Sequence, residues 1–299
     1  MVRPHGATVG NVPTTVEASR RPAGQALSAD FDIRPYLSGI GGNLAGMANV
    51  IMQLSWPGVG YGVMESRVED GSALKHPVKR ARTTYTYIAV ALLGNDEDRK
   101  VFRRAVNRQH VQVRNDADSK SPVPYSAMDP RLQLWVAACL YYGTVDFLEK
   151  MNGPLDDDTA DAMYAYCARF GTTLQVRDDM WPSNRAEFAR YWEESLREVS
   201  IDDAVRDYLT FLMRYGNAPG WMQRRFADFN TFVTTGFLPP EFRDAMHLDW
   251  DEERQQRFDR LLRRMGSFER RLPRVVRNFP FNVLLWDMRR RQRAGKPLV

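Results

Sequence analysis

The sequence predicts an all-α protein, an irregular multi-helix bundle. Apolar residues recur at three- and four-residue spacing through most of the 299 residues, the period of a helix face. Pro, Gly, Asp and Asn punctuate these segments where helices begin and end. Tandem repeats, sustained heptads and long β alternation are missing, which excludes solenoids, long coiled coils and sandwiches. A chain of this length buries about 75% of its unfolded surface, so its core needs no disulfide or metal staple. We expect an N-terminal arm over residues 1–35, a single helical domain over 36–288 and a basic tail over 289–299.

The arm is read from Gly6, Gly10, Pro13, Pro22, Gly24 and Pro35, which fall without periodicity, and its His5 is an untethered terminal side chain. From residue 41 small and large apolar residues alternate until Pro57, predicting a buried helix broken at that proline. The many glycines there let backbone approach a neighbouring helix or a flat ligand. No phosphate-binding glycine string accompanies them. Residues 78–93 form a helical pattern, Gly94 breaks it, and Asn95 or Asp96 starts a second helix. On that helix Phe102, Val106 and His110 are spaced by four, so the imidazole shares the apolar face.

Farther along, residues 132–151 read as a packed helix in which Trp135 is a core aromatic or a pocket wall. Asp156, Asp157 and Asp158 supply helix-start charge, because three adjacent carboxylates would crowd one another around a metal. Asp178 and Asp179 fall in a solvated turn before a helix over 185–199. Amphipathic helices follow at 202–214, 221–235, 241–247 and 251–272, and a segment at 279–285 covers an apolar surface. His76, before Pro77, and His247 have no convergent ligand spacing.

Lys+Arg 42 against Asp+Glu 37 gives +5, nearly all of the basic charge being arginine. The charges are mostly interleaved, as on solvated helix faces, so a nucleic-acid partner is disfavoured; Arg289, Arg290, Arg291, Arg293 and Lys296 form the one basic run. Cys139 and Cys167 sit in apolar neighbourhoods as small core residues. With no signal segment and no window approaching 18 uncharged apolar residues, the expected location is cytoplasmic and no membrane span is expected.

Chemistry concentrates in residues 78–114. His110 in an apolar setting is either a hydrogen-bonded core histidine or a neutral ligand offering one ring nitrogen to iron. Arg108 and Arg114 flank it, and Glu65, just after the glycine-rich segment, would need a partner such as Arg80 or Arg82 if it entered the core.

These residues resemble, in order, the family of bacterial latex-clearing proteins, which are haem-b-dependent rubber oxygenases, and the catalytic domain of a fungal mycophenolate-pathway oxygenase. The likeness runs from Gln53 to about Tyr191. It is carried by Gln53-Leu54-Ser55-Trp56-Pro57 with Gly60 and Gly62, by Arg82-Thr83-Thr84, and by Asn107-Arg108-Gln109-His110. Tyr125-Ser126-Ala127-Met128-Asp129-Pro130, Leu132-Gln133-Leu134-Trp135-Val136, Pro182 and Phe188-Ala189-Arg190-Tyr191-Trp192 extend it.

The resemblance implies haem b in an apolar haem-type pocket, with His110 as the proximal iron ligand and Arg114 and Arg80 as cofactor-binding cations. It matches Glu65 and Thr84 to a distal Glu and Thr that assist oxygen chemistry. The lysine of that group is replaced by Thr83, preceded by Arg82, which then takes the catalytic position beside Glu65 and Thr84. The implied function is a haem-dependent oxygenase acting on a small apolar organic substrate, with an electron donor as partner and a homo-oligomer permitted. A haem peroxidase, and a non-catalytic helical ligand-binding or protein-interaction module, are the alternatives.

Overall fold

The computed structural model describes residues 31–66, 68, 74 and 76–299. His5 and the expected arm up to residue 30 lie outside them. The helices are α1 (Gly39–Leu54), α2 (Pro57–Met64), α3 (Pro77–Leu93), α4 (Asp96–His110), α5 (Pro130–Asn152), α6 (Asp157–Cys167) and α7 (Arg169–Thr172). They continue with α8 (Arg185–Leu196), α9 (Asp203–Met213), α10 (Gly220–Phe237), α11 (Pro240–Ala245), α12 (Glu252–Glu269), α13 (Arg274–Arg277) and α14 (Phe281–Arg293). The β structure among the described residues is an isolated bridge between Arg114 and Ser126, so the fold is an all-α irregular bundle.

Helix α5 is the axis. Its Trp135, Ala137, Ala138 and Cys139 are fully buried, and it packs against α1, α7, α10 and α12. Trp135 is therefore core: its ring stacks on Trp56 at 4.8 Å and on Trp192 at 5.2 Å, and its indole N–H donates to the Gln53 carbonyl at 3.1 Å. Trp192 stacks in turn on Tyr142 at 4.3 Å, extending one aromatic column across the α1–α2 junction, α5 and α8. At the other end of α5, Gly266 of α12 lies so close to the Met151 carbonyl that any Cβ would overlap it.

Local chemistry sets the helix starts. Proline occupies the first turn of α2, α3, α5 and α11, where a missing N–H costs nothing. Asn95 and Asp98 form a reciprocal capping box on α4, and Asp129, Asp156, Asn184, Asp202 and Asp251 cap α5, α6, α8, α9 and α12. Asp156 is thus a cap, as its spacing suggested.

The basic run lies on α14, which packs along α3. Arg289 donates three hydrogen bonds to the buried Asp98 carboxylate, the shortest at 2.7 Å. Burial alone would raise the Asp98 pKa, but Arg289 and the Asn95 N–H outweigh it and hold the carboxyl below its ordinary range.

Candidate functional site

The α3–α4 hairpin positions His110. Gly94 and Asn95 form its tip; counting 1.5 Å per residue, Arg80 lies about 21 Å back along α3 and His110 about 23 Å on along α4. Antiparallel packing brings these two levels together, and the Arg80 charge is felt at the imidazole. Burial first, and Arg80 second, push the His110 pKa down to about 4, so the ring is neutral at physiological pH. Its Nδ1 is buried with no hydrogen-bond partner. The neighbouring motif residues are structural: Asn107 accepts from Gln175 at 2.7 Å, and Gln133 accepts from the Gln175 backbone N–H at 2.8 Å, pinning α4 to the turn before α8.

Arg80 is half-buried, and desolvation lowers its pKa without removing the charge. Among the described residues no carboxylate pairs with it; besides His110, the Tyr208 hydroxyl of α9 lies near enough for the two groups to act on each other electrostatically. Tyr208 is a site residue that sequence reading missed, since only the packing of α9 against the bundle brings it to residue 80.

The other predicted residues fall elsewhere. Arg82 points to α14, where Arg291 and Asp287 act on it. The Thr84 hydroxyl donates to the Arg80 carbonyl at 3.1 Å, within its own helix. Glu65 caps the end of α2, and its partners are neither Arg80 nor Arg82. It accepts from Ser119 Oγ at 2.7 Å, the Lys120 backbone N–H at 2.7 Å and the Tyr125 hydroxyl at 2.9 Å. Burial would raise its pKa, but these donors prevail and keep it low, so Glu65 is ionised. The Tyr125 hydroxyl is raised to about 12 by burial and by this carboxylate.

Helix α4 stops at His110. Arg114, expected to flank His110, lies beyond the helix in an extended segment in which Ala127 N–H donates to the Val113 carbonyl and Asn115 N–H to the Tyr125 carbonyl. Arg114 is exposed there and, with Glu65, Tyr61, Lys120 and Tyr125, lines a cavity of about 410 Å³. Neither this cavity nor a second, of about 240 Å³ beside Arg34 and Arg169, is lined by His110.

The donor set bears on which metal could bind. Among the described residues no cluster of His, Cys, Asp and Glu can hold an ion. A single neutral imidazole is too little for a bare cation but suffices for iron already chelated by a macrocycle. An arginine near it with no carboxylate partner among the described residues suits the carboxylate such a group carries. On α1, Gly46 lies against the Tyr85 hydroxyl of α3, and Gly42, one turn earlier, has open space where a Cβ would stand. These side chains are a donor set that haem could use, and neither of the two cavities is lined by them.

An all-α bundle with one desolvated histidine at the end of a helical hairpin is the class defined by fold and site. Residues 34–267 match the family described as "ER-bound oxygenase mpaB/B'/Rubber oxygenase, catalytic domain", and the chain belongs to this family of oxygenase catalytic domains, as its motifs indicated. It is 50% identical over 252 residues to "Uncharacterized protein Mb2261" of Mycobacterium bovis and equally to "Uncharacterized protein Rv2237" of Mycobacterium tuberculosis, covering 84% of this chain and 98% of each relative. No solved structure matches.

Proposed function

We propose that the protein is a haem-b-dependent oxygenase of a small apolar organic substrate. The observation that carries this is His110: neutral, desolvated, with an unpartnered buried nitrogen and a half-buried arginine beside it. Haem, when bound, supplies the oxygen-activating redox chemistry. His110 would hold the iron through one ring nitrogen, and its low proton affinity keeps that nitrogen free of a proton across the physiological range. Arg80 would neutralise a cofactor carboxylate. Glu65, ionised and facing a cavity shared with Arg114, is assigned the role of proton acceptor, and Arg114 that of an anion-binding group at the same cavity. Arg82 and Thr84 would act from α3, Arg82 through its charge and Thr84 by fixing the Arg80 turn.

The test is an absorption spectrum and iron quantification of protein produced with adequate haem, beside His110→Ala and Arg80→Gln. Stoichiometric iron and a ligation spectrum lost in His110→Ala support the reading. A haem spectrum unchanged by His110→Ala overturns the ligand assignment, and protein that takes up no haem overturns the cofactor.

A further inference from the structure

Residues 270–299 carry nine Arg and Lys against Asp287 alone, a surplus of +8, whereas the whole chain carries +5, so residues 1–269 sum to −3. The basic charge is therefore segregated onto one segment, which lies beyond the residues matched to the family. The same segment is where large apolar side chains stand in solvent: Val275 (72% exposed), Val276, Phe279, Val283 and Trp286 (58%) fall within twelve residues.

The periodicity of α14 puts these two features on one face. Val283, Trp286, Arg290 and Arg293 follow one another at steps of three, four and three, the spacing of a single helix stripe, and the exposed Phe279 stands just before the helix start. The opposite stripe, Phe281, Leu285 and Met288, is buried against the bundle. The outer face thus begins apolar and ends cationic, with the Arg290 guanidinium over the Trp286 ring at 5.4 Å. Arg274, Arg293 and Lys296 are exposed and pair with no carboxylate among the described residues.

We infer that the outer face of α13 and α14 docks on the surface of an anionic lipid bilayer, with Phe279, Val283 and Trp286 entering the interface and Arg274, Arg290 and Arg293 meeting the headgroups. Three features select this occupant. Aliphatic valines give no stacking surface for bases, which a single-stranded nucleic acid would require. A tryptophan and a phenylalanine beside arginines are the side chains that settle at a bilayer interface, the ring inside and the cation at headgroup level. The charge surplus confined to this segment directs the approach to a negative surface. No described helix is long and apolar enough to cross a membrane, so the contact is peripheral. The inference stands on this face alone and does not depend on haem.

The full chain is co-sedimented with vesicles of phosphatidylcholine alone or with phosphatidylserine added. Binding to the anionic vesicles, weakened by salt, is expected. Val283→Ser/Trp286→Ser should bind at least about tenfold more weakly, since each side chain loses burial worth more than the equivalent of that factor. Arg274→Gln/Arg293→Gln should lose most of the preference for anionic vesicles. Trp221→Ser, which alters an exposed ring on α10, should bind like the unaltered protein, and circular dichroism checks that each variant is folded. The inference fails if anionic vesicles are not bound, or if Val283→Ser/Trp286→Ser binds them equally well. It also fails if sedimentation shows a dimer that this double variant dissolves, or if an oligonucleotide binds more tightly than the vesicles.

Discussion

Acidification of the haem-free protein should expose the cost of keeping His110 neutral. The folded-state pKa is about 4 against an ordinary 6.5, because burial and the nearby Arg80 both disfavour the cation. Between these values the unfolded chain binds a proton that the native ring refuses, so acid favours unfolding. The stability contributed is fully present above pH 6.5, declines as pH falls below it, and is lost once pH reaches the folded value. At 1.36 kcal/mol per pKa unit the whole shift is worth about 3 kcal/mol, of which about 2 kcal/mol is gone by pH 5. Urea denaturation at a series of pH values, with His110→Gln as the non-titrating reference, isolates this contribution. The unaltered protein should lose about 2 kcal/mol more than His110→Gln between pH 7 and pH 5. Parallel curves for the two proteins would show that the ring is solvated and would remove the basis for a desolvated ligand.

Other perturbations test the scaffold around it. Arg289→Ala leaves the buried Asp98 carboxylate with its backbone partner alone; because the arginine is itself part-exposed, a loss of about 1–3 kcal/mol in chemical denaturation is expected. The pH dependence of that loss has the opposite origin to that of His110. Asp98 is held below its ordinary pKa, so the contribution is present above the unfolded carboxyl range and disappears as pH falls through the folded value. Gly266→Ala drives a Cβ into the Met151 carbonyl and should cost about 1–3 kcal/mol by overpacking, read as a lower melting temperature. Glu65→Ala removes the acceptor of three hydrogen bonds, and the Lys120 amide should then exchange with solvent much faster in a hydrogen-exchange measurement while the α5 amides keep their protection.

What could be read from the sequence were features whose cause is local. The capping box of Asn95 and Asp98, the prolines in first turns and the spacing of Phe102, Val106 and His110 each act within one or two turns of chain, and the helices follow them. Motif order was enough to place the family. The misplaced contacts all join distant residues. Glu65 is satisfied by a loop 54 to 60 positions later rather than by α3. Arg114 leaves the helix because Ser126 and Tyr125 offer it extended pairing. Arg80 meets Tyr208 and Asp98 meets Arg289 through tertiary packing, for which no spacing rule exists. Trp135 had two readings because an aromatic on an apolar face looks the same whether its neighbours are rings or a ligand; its stacking on Trp56 and Trp192 decides for core.

The clasp between Asp98 and Arg289 spans 191 positions. During synthesis α4 is made long before its first-turn carboxylate acquires a counter-charge, so that carboxylate stays in water until α14 emerges and docks. Closing so long a loop is entropically slow to reward. The hairpin that bears His110 therefore reaches its final rigidity only after α14 has left the ribosome, and a chain cut before α14 should carry the imidazole on a hairpin still unlocked at its tip.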